Sequence, residues 1–464
     1  MSRTLRFEAL LTDDGWLEPA YVALDRNGAL LSLSCRPPAR GAGPAEITSY
    51  ENVGGFALPG YPNAHSHAFQ YAMAGSAEHL PPDAAGDDFW SWREAMYRLA
   101  LSLSADEIET IATMLYAEML RQGYTAVAEF HYLHHDPAGK HYADPAEIGG
   151  RLVAAAETAK IRLTLVPIFY QRGGFGREAD PRQRRFLSAS VDEYQRLLEA
   201  SEAAVRRSPR ATLGVGVHSL RAVDPESAVT LLEEADPKLP RHLHIAEQQR
   251  EVDECLAALG ARPVEWLSAR LALDDRYHLV HATHIDADES ATLARSKANV
   301  VLCPTTEGNL GDGFFPLRPF LEQGGRFSIG SDSQIGLAPN EELRLLDYGQ
   351  RLRSERRNVV CLQGGDDSGA RLFAQALHNG RRAMGLDSKA FFEVGAPFDA
   401  LVYDTDFPPL ALARRERRLS TIVYCCDASA LVGTIVGGRF VVRDGHHIEG
   451  ERLRERYRRL AARR

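Results

Sequence analysis

The 464-residue chain carries 54 Lys and Arg against 63 Asp and Glu. The resulting formal charge of −9 excludes any general attraction to nucleic acid or an anionic membrane surface, so an acidic ligand would need a local cluster of Arg or Lys. Hydrophobic residues make up 44% and charged residues 25%, enough apolar material for a large core in two or three average domains or one large α/β barrel with an appendage.

The opening MSRTLRFEALLTDDGW shows no apolar stretch of signal-peptide length and no basic amphipathic presequence. No segment approaches the ~20 apolar residues of a membrane helix. The six cysteines, with Cys425 and Cys426 adjacent, have neither CxxC spacing nor the density of a disulfide scaffold. A reducing, cytoplasmic setting is the expectation, with Cys303 in NVVLCP reading as a core residue.

In chain order, residues 1–57 form short β-like pieces with turn signals. From 58 to 385 apolar, β-branched runs alternate with amphipathic helical stretches. FALPGYPNAHSH is the first strand. Ser104 and Glu107 then form an S-x-x-E capping box for the helix SADEIETIATMLYAEMLRQG, which Gly123 closes. The strands YTAVAEFHY, RLTLVPIFY, ATLGVGVHSL, RHLHIAE, YHLVHATHI, NVVLCPTTE and RFSIGSDS follow, with helices between them such as the one Asp224 and Pro225 begin. Apolarity that is continuous rather than alternating indicates parallel strands covered on both faces. Eight such units predict a closed (β/α)₈ barrel of the α/β class, with an open doubly wound sheet as the alternative. Residues 386–448 return to β-like pieces (DALVYD, STIVYCC, LVGTIVGGRFVVRDG), which pair with 1–57 in a small β-sandwich-like domain. The tail at 449–464 predicts a solvated basic helix.

His65 and His67 in PNAHSH lie two apart at the end of the first strand, so both side chains face the same way. An HxH pair alone is better explained by two ordinary polar residues. Three further strand ends change that: His244 in HLHIAE, His281 in LVHATH and Asp332 in SIGSDS each follow an apolar run and emerge at the same barrel mouth. Imidazoles with one carboxylate suit Zn²⁺ and leave a position for water, whose pKa the ion can bring to about 7.

The order HxH, His, His, Asp on successive strand ends resembles the amidohydrolase superfamily. No bridging-lysine pattern stands on the middle strands, which favours its one-metal branch of deaminases, where a Glu three residues after the third His shuttles protons. Glu247 has that place. The segments PNAHSHAFQYAMAG, FWSWREAMY, AEFHYLHH, GVHSLRAV, HIAEQQREVDEC, CPTTEGNLGDGFFPL and VGGRFVVRDG, spread over nearly the whole chain, resemble the members that deiminate N-formimidoyl-L-glutamate in histidine degradation. The resemblance implies one Zn²⁺ per chain on His65, His67, His244 and Asp332, and Glu247 as proton shuttle. It places His281 against the attacking water or the tetrahedral centre, gives Asp332 the water's proton, and makes Gln70, Arg93, Tyr132, His218 and Arg221 the substrate-binding set. The expected products are N-formyl-L-glutamate and ammonia, and the expected assembly is a homodimer with no nucleic-acid or membrane partner.

The substrate's chemistry agrees, since two carboxylates call for guanidinium forks, and Arg93 and Arg221 are available. The bland alternatives are an Arg93 stacked on Trp90 or Trp92, a core Tyr132 and a satisfied buried His218. His131, His134, His135 and His284 read as structural or surface residues. Two other functions fit the same pattern. A deaminase of a nucleobase or aminated heterocycle would leave both arginines without a purpose. A catalytically silent binding barrel is opposed by the intact His65, His67, His244, Glu247, His281 and Asp332.

Overall fold

The computed structural model of the protein describes residues 2–37, 50–73, 75–80, 86–386 and 390–464. Positions 38–49 of the amino-terminal flank, and Ala74 within PNAHSHAFQYAMAG, lie outside the described residues.

Eight parallel strands succeed one another in chain order: β1 (Tyr61–Ser66), β2 (Tyr124–His131), β3 (Arg162–Phe169), β4 (Val215–Val217), β5 (Arg241–Ile245), β6 (Tyr277–His281), β7 (Asn299–Leu302) and β8 (Arg326–Ile329). Nearly every residue in them is buried, as strands covered on both faces require. The two ends of this sheet meet. Ser66 and Asp332 form a parallel bridge, the Asp332 N–H donates to the His65 carbonyl at 3.0 Å, and the His67 N–H donates to the Asp332 carbonyl at 3.1 Å. Gly330 makes the approach possible, because a Cβ there would stand 2.8 Å from the Cβ and carbonyl oxygen of His65. The sheet is therefore a (β/α)₈ barrel, and the open-sheet alternative falls away.

The helices between strands have the local chemistry that the sequence announces. Helix Ala105–Gln122 starts at the reciprocal Ser104–Glu107 capping box and stops at Gly123, whose φ of 113° suits a residue without a Cβ. It buries Ile108, Ile111, Leu115 and Met119 at helical spacing.

Two flanking sheets complete the fold. One, ordered Leu30–Ser34, Ala20–Leu24, Arg3–Phe7, Tyr50–Asn52, is built from the amino-terminal flank alone. The other mixes both ends of the chain, ordered His446–His447, Arg439–Arg443, Leu431–Val436, Ala400–Tyr403, Phe56–Pro59, Ala9–Thr12, Gly15–Leu17. Leu5, Phe7, Val22, Leu24, Ala57, Phe398, Val402 and Ile435 form a core that belongs to both sheets.

Four local readings change. FALPGYPNAHSH is two strands, since Phe56–Pro59 pairs with Ala400–Tyr403 and only Tyr61–Ser66 enters the barrel. The break falls at Gly60, where a Cβ would sit 2.3 Å from the Thr125 side chain. ATLGVGVHSL likewise divides at Gly214 into Ala211–Leu213 and Val215–Val217. STIVYCC is not β structure but lies in helix Arg418–Cys425, because Leu419, Ile422 and Val423 bury one face at a spacing of three and four. The tail helix Gly450–Ala461 is not wholly solvated either, with Leu453 buried and Arg456 bonded to Glu109 at 3.0 Å. Cys303 is fully buried. Among the described residues, no helix is long and apolar enough to cross a membrane.

Candidate active site

The ends of β1, β5, β6 and β8 bring five side chains together at one barrel mouth. The Nε2 of His65 lies 3.1 Å from that of His67 and 3.0 Å from that of His244. Asp332 Oδ1 is 3.2 Å from His67 Nε2 and 3.5 Å from His65 Nε2. His281 stands beside this group, its Nε2 3.7 Å from Asp332 Oδ2 and 3.6 Å from Glu247 Oε1.

The outer hydrogen bonds set the tautomers. His67 donates from Nδ1 to the Phe130 carbonyl at 2.9 Å, and His244 from Nδ1 to the His218 carbonyl at 3.0 Å. A carbonyl only accepts, so each of these rings turns an Nε2 lone pair inward. Burial keeps His65 and His244 from protonating: it lowers His65 to about 3 despite the opposing contact with Asp332, and it takes His244 well below the usual histidine range. Burial would raise the Asp332 carboxyl, but the adjoining His65 and His67 rings hold it well below the usual carboxylate range, so it stays ionised. Ring lone pairs aimed at one point beside a carboxylate repel one another unless a cation lies among them. The donor set fits a metal ion.

Strain accompanies this convergence. Ala246, His281, Ala282 and Asp332 have φ of 49°, 71°, 50° and 46°, values that non-glycine residues adopt uncommonly. Such conformations cost on the order of 1–3 kcal/mol each and persist where surrounding bonds dictate them. Here the N–H of Ala282 is held by the Ile245 carbonyl and that of Asp332 by the His65 carbonyl, both at 3.0 Å.

Glu247 extends beside this donor group. Its Oε2 accepts from Arg221 at 3.1 Å, and its pKa is raised, by burial first, with His281 and Arg221 opposing. His281 moves the other way. Burial would lower it, but the charge of Glu247, a hydrogen bond to Glu307 and the charge of Asp332 hold it up at about 10. Its Nδ1 meets Glu307 Oε1 at 3.3 Å, and that same oxygen accepts the Cys303 N–H at 2.8 Å.

One cavity is lined by His67, His244, Glu247, His281 and Asp332 together with Gln70, Arg93, Tyr132, His218 and Arg221. All five expected substrate residues thus face the same space. Gln70 donates to the Tyr132 hydroxyl at 2.9 Å, and its own Oε1 is buried without a partner. Arg93 lies 4.4 Å over the Trp90 ring and 5.5 Å from that of Tyr97, so stacking and pocket lining are both true of it. It makes no ion pair among the described residues, and its Nε is buried unbonded. Arg221 instead has a carboxylate partner in Glu247.

Sequence reasoning passed over Glu307, Tyr97, Tyr170, Arg172 and Phe186. Tyr97 was within reach, four positions from Arg93 on helix Phe89–Ser102 and lining the same cavity. Tyr170 follows β3 directly, a strand-end position like those of the histidines. Arg172 and Phe186 come from loop structure, which leaves no periodic signal. His134 and His284 are taken up by the Ile168 and Asp312 carbonyls, each at 2.8 Å, outside the cavity lining.

A closed (β/α)₈ barrel with this cluster at its mouth defines a class of hydrolase, and the chain belongs to the amidohydrolase family, whose model matches residues 56–441. It is 46% identical to the formimidoylglutamate deiminase of Pseudomonas aeruginosa over 96% of both chains. It is 28% identical to the 5-methylthioadenosine/S-adenosylhomocysteine deaminase of Haloarcula marismortui, over 84% of this chain and 82% of that one. Among solved structures, an amidohydrolase from Brucella melitensis superposes with a TM-score of 0.91 at 36% identity, covering 99% of each chain.

Proposed function

We propose that this hydrolase is a zinc-dependent formimidoylglutamate deiminase of histidine degradation, converting N-formimidoyl-L-glutamate and water to N-formyl-L-glutamate and ammonia. The observation that carries the reading is a cavity joining a convergent histidine–aspartate donor set to Arg93, a largely buried cation that has no carboxylate partner among the described residues. The Pseudomonas aeruginosa relative, similar over 96% of the chain, bears the same activity in its name.

His65, His67, His244 and Asp332 would hold one Zn²⁺, the ion that imidazole with a carboxylate suits. When bound, it supplies a water acidic enough to act as a nucleophile at neutral pH. Asp332 accepts the proton that this water loses as oxygen adds to the formimidoyl carbon. His281, held by Glu307 behind it, stabilises charge on the tetrahedral centre through Nε2. Glu247 relays both of the water's protons to the terminal nitrogen, one passed on from Asp332 and one from the hydroxyl of the tetrahedral centre, so the carbon–nitrogen bond breaks and ammonia leaves as the carbonyl forms. Arg221 occupies Glu247 Oε2, which leaves Oε1, on the His281 side, for proton traffic.

Arg221 touches the group that works at the reacting carbon, so we assign it the near, α-carboxylate. Arg93 contacts none of the reacting groups and takes the distal one. Gln70, Tyr132 and His218 complete the binding set with neutral hydrogen bonds. The reading includes a cytoplasmic homodimer. Ammonia release from a panel of N-formimidoyl amino acids and aminated heterocycles tests it. Turnover of adenine nucleosides with none of formimidoyl-glutamate would overturn it.

A further inference from the structure

A second group of metal-ligating side chains lies outside the cavity lining, on the loop that follows β2. His135, His141 and Glu193 each offer a donor atom within 4.8 Å of the other two. The backbone around them is firmly built. The N–H groups of His134 and His135 donate to the Arg185 carbonyl at 2.8 and 3.0 Å, and the buried Arg185 guanidinium returns a bond to the His135 carbonyl at 2.8 Å.

Two of the three ligands are already set for a cation. His135 donates from Nε2 to the Leu187 carbonyl at 2.7 Å, which leaves Nδ1 as its lone-pair nitrogen. Its pKa is held below the usual 6.5, mainly by burial, so the ring is neutral at physiological pH. Glu193 uses Oε2 to accept the Ala189 N–H at 2.7 Å, while Oε1 stands 3.6 Å from His141 Nε2. That separation is too long for a hydrogen bond, and the exposed His141 ring lies 4.3 Å from the His135 ring, centroid to centroid.

We propose that His135, His141 and Glu193 form an auxiliary site for an exchangeable transition-metal dication at the rim of the barrel. Two imidazoles and one carboxylate select zinc, cobalt or nickel over magnesium or calcium, which prefer all-oxygen ligands. Three protein ligands leave a coordination position for water. Occupancy ties the loop that starts at Tyr132 to helix Val191–Val205 and to the 185–189 turn, whose Phe186 packs on Tyr132 at 5.1 Å and lines the catalytic cavity. The ion therefore stiffens one wall of that cavity without entering it.

Zinc titration of the metal-stripped full chain, read as bound ions per chain after dialysis, is the test. The expected count is two for the parent, one for His141→Ala and one for His65→Ala, with zinc raising the Tm of the parent more than that of His141→Ala. Glu193→Gln, which keeps the acceptor for Ala189, should also read one. With zinc in excess, His141→Ala should keep kcat within about twofold of the parent, since the residue touches no reacting group. One ion per chain in the parent, or equal counts in parent and His141→Ala, overturns the site. The count does not depend on which substrate the enzyme turns over, so a wrong substrate assignment leaves this result readable.

Discussion

Replacing Arg93 with Met probes the substrate assignment most directly. The substitution keeps an apolar stem under the Trp90 ring, which the Arg93 guanidinium covers at 4.4 Å. No carboxylate of the protein loses a partner, because Arg93 makes no ion pair among the described residues. The full cost should therefore fall on the ligand. A hydrogen bond to a charged group is worth ~1.5–3 kcal/mol. At ~1.4 kcal/mol per tenfold, kcat/KM for formimidoyl-glutamate should fall roughly 10–100-fold. Formimidoyl-glycine, which lacks the distal carboxylate, should be handled as the parent handles it, so the preference between the two substrates disappears. Arg221→Met should behave differently. It strips Glu247 of a partner at 3.1 Å, so kcat should fall together with kcat/KM, and for both substrates. Ammonia release under initial-rate conditions, with bound zinc checked in each variant, measures all of this. If Arg93→Met retains the parent's preference for the glutamate substrate, the distal-carboxylate assignment is wrong.

Glu247→Gln should keep its metal and its bond from Arg221 yet lose ~10²–10⁴-fold in kcat, since an amide cannot carry the proton; an unchanged kcat removes Glu247 from the chemistry. His65→Ala should lose activity and the catalytic ion together, and in a His141→Ala background it should bind no zinc. A fully active, zinc-free His65→Ala would reject the metal mechanism. Glu129, buried beneath the Ser66–Ala68 turn, is raised to about 7 chiefly by burial. The folded state then keeps a proton that the unfolded chain releases above ~4.5, so metal-free protein should lose about 3 kcal/mol of stability as pH rises from ~4.5 to ~7, and Glu129→Gln should flatten that slope. Denaturant titrations across that range measure it, and parallel slopes for both proteins would refute it.

Much of the site could be read from the chain because of where barrels put their functional groups. His65, His244, His281 and Asp332 each follow an apolar run, and that one fact predicts their convergence. Glu307 escaped notice because its partner, His281, lies on a different strand, and no local spacing links β6 to the helix Pro304–Leu310. Glu129 was hidden inside YTAVAEFHY, where a lone polar residue in a buried strand gives no hint of the turn it holds. STIVYCC was misread for a different reason: β-branched and aromatic residues fill buried helices as readily as strands, and only the three-and-four spacing tells them apart. The asymmetry between the arginines was beyond any spacing rule, because Arg221 meets Glu247 across two barrel units.

The way the barrel closes bears on how the site comes into being. Along the rest of the sheet each strand pairs with its neighbour in chain order, so those contacts can form one unit at a time. Within the barrel sheet, among the described residues, the seam alone joins strands far apart in the chain, as where Asn63 bonds Ser331 across 268 positions at 2.7 Å. His65 and His67 stand on one side of that seam and Asp332 on the other, and their backbones are its stitches. The full donor set cannot converge until the first and last strands have met, the pairing with the largest loop-closure entropy within the barrel sheet. A chain whose seam is open therefore separates His65 and His67 from Asp332 and presents no complete site. A metal held by these residues, as proposed above, would bridge the seam and so report on assembly of the whole barrel.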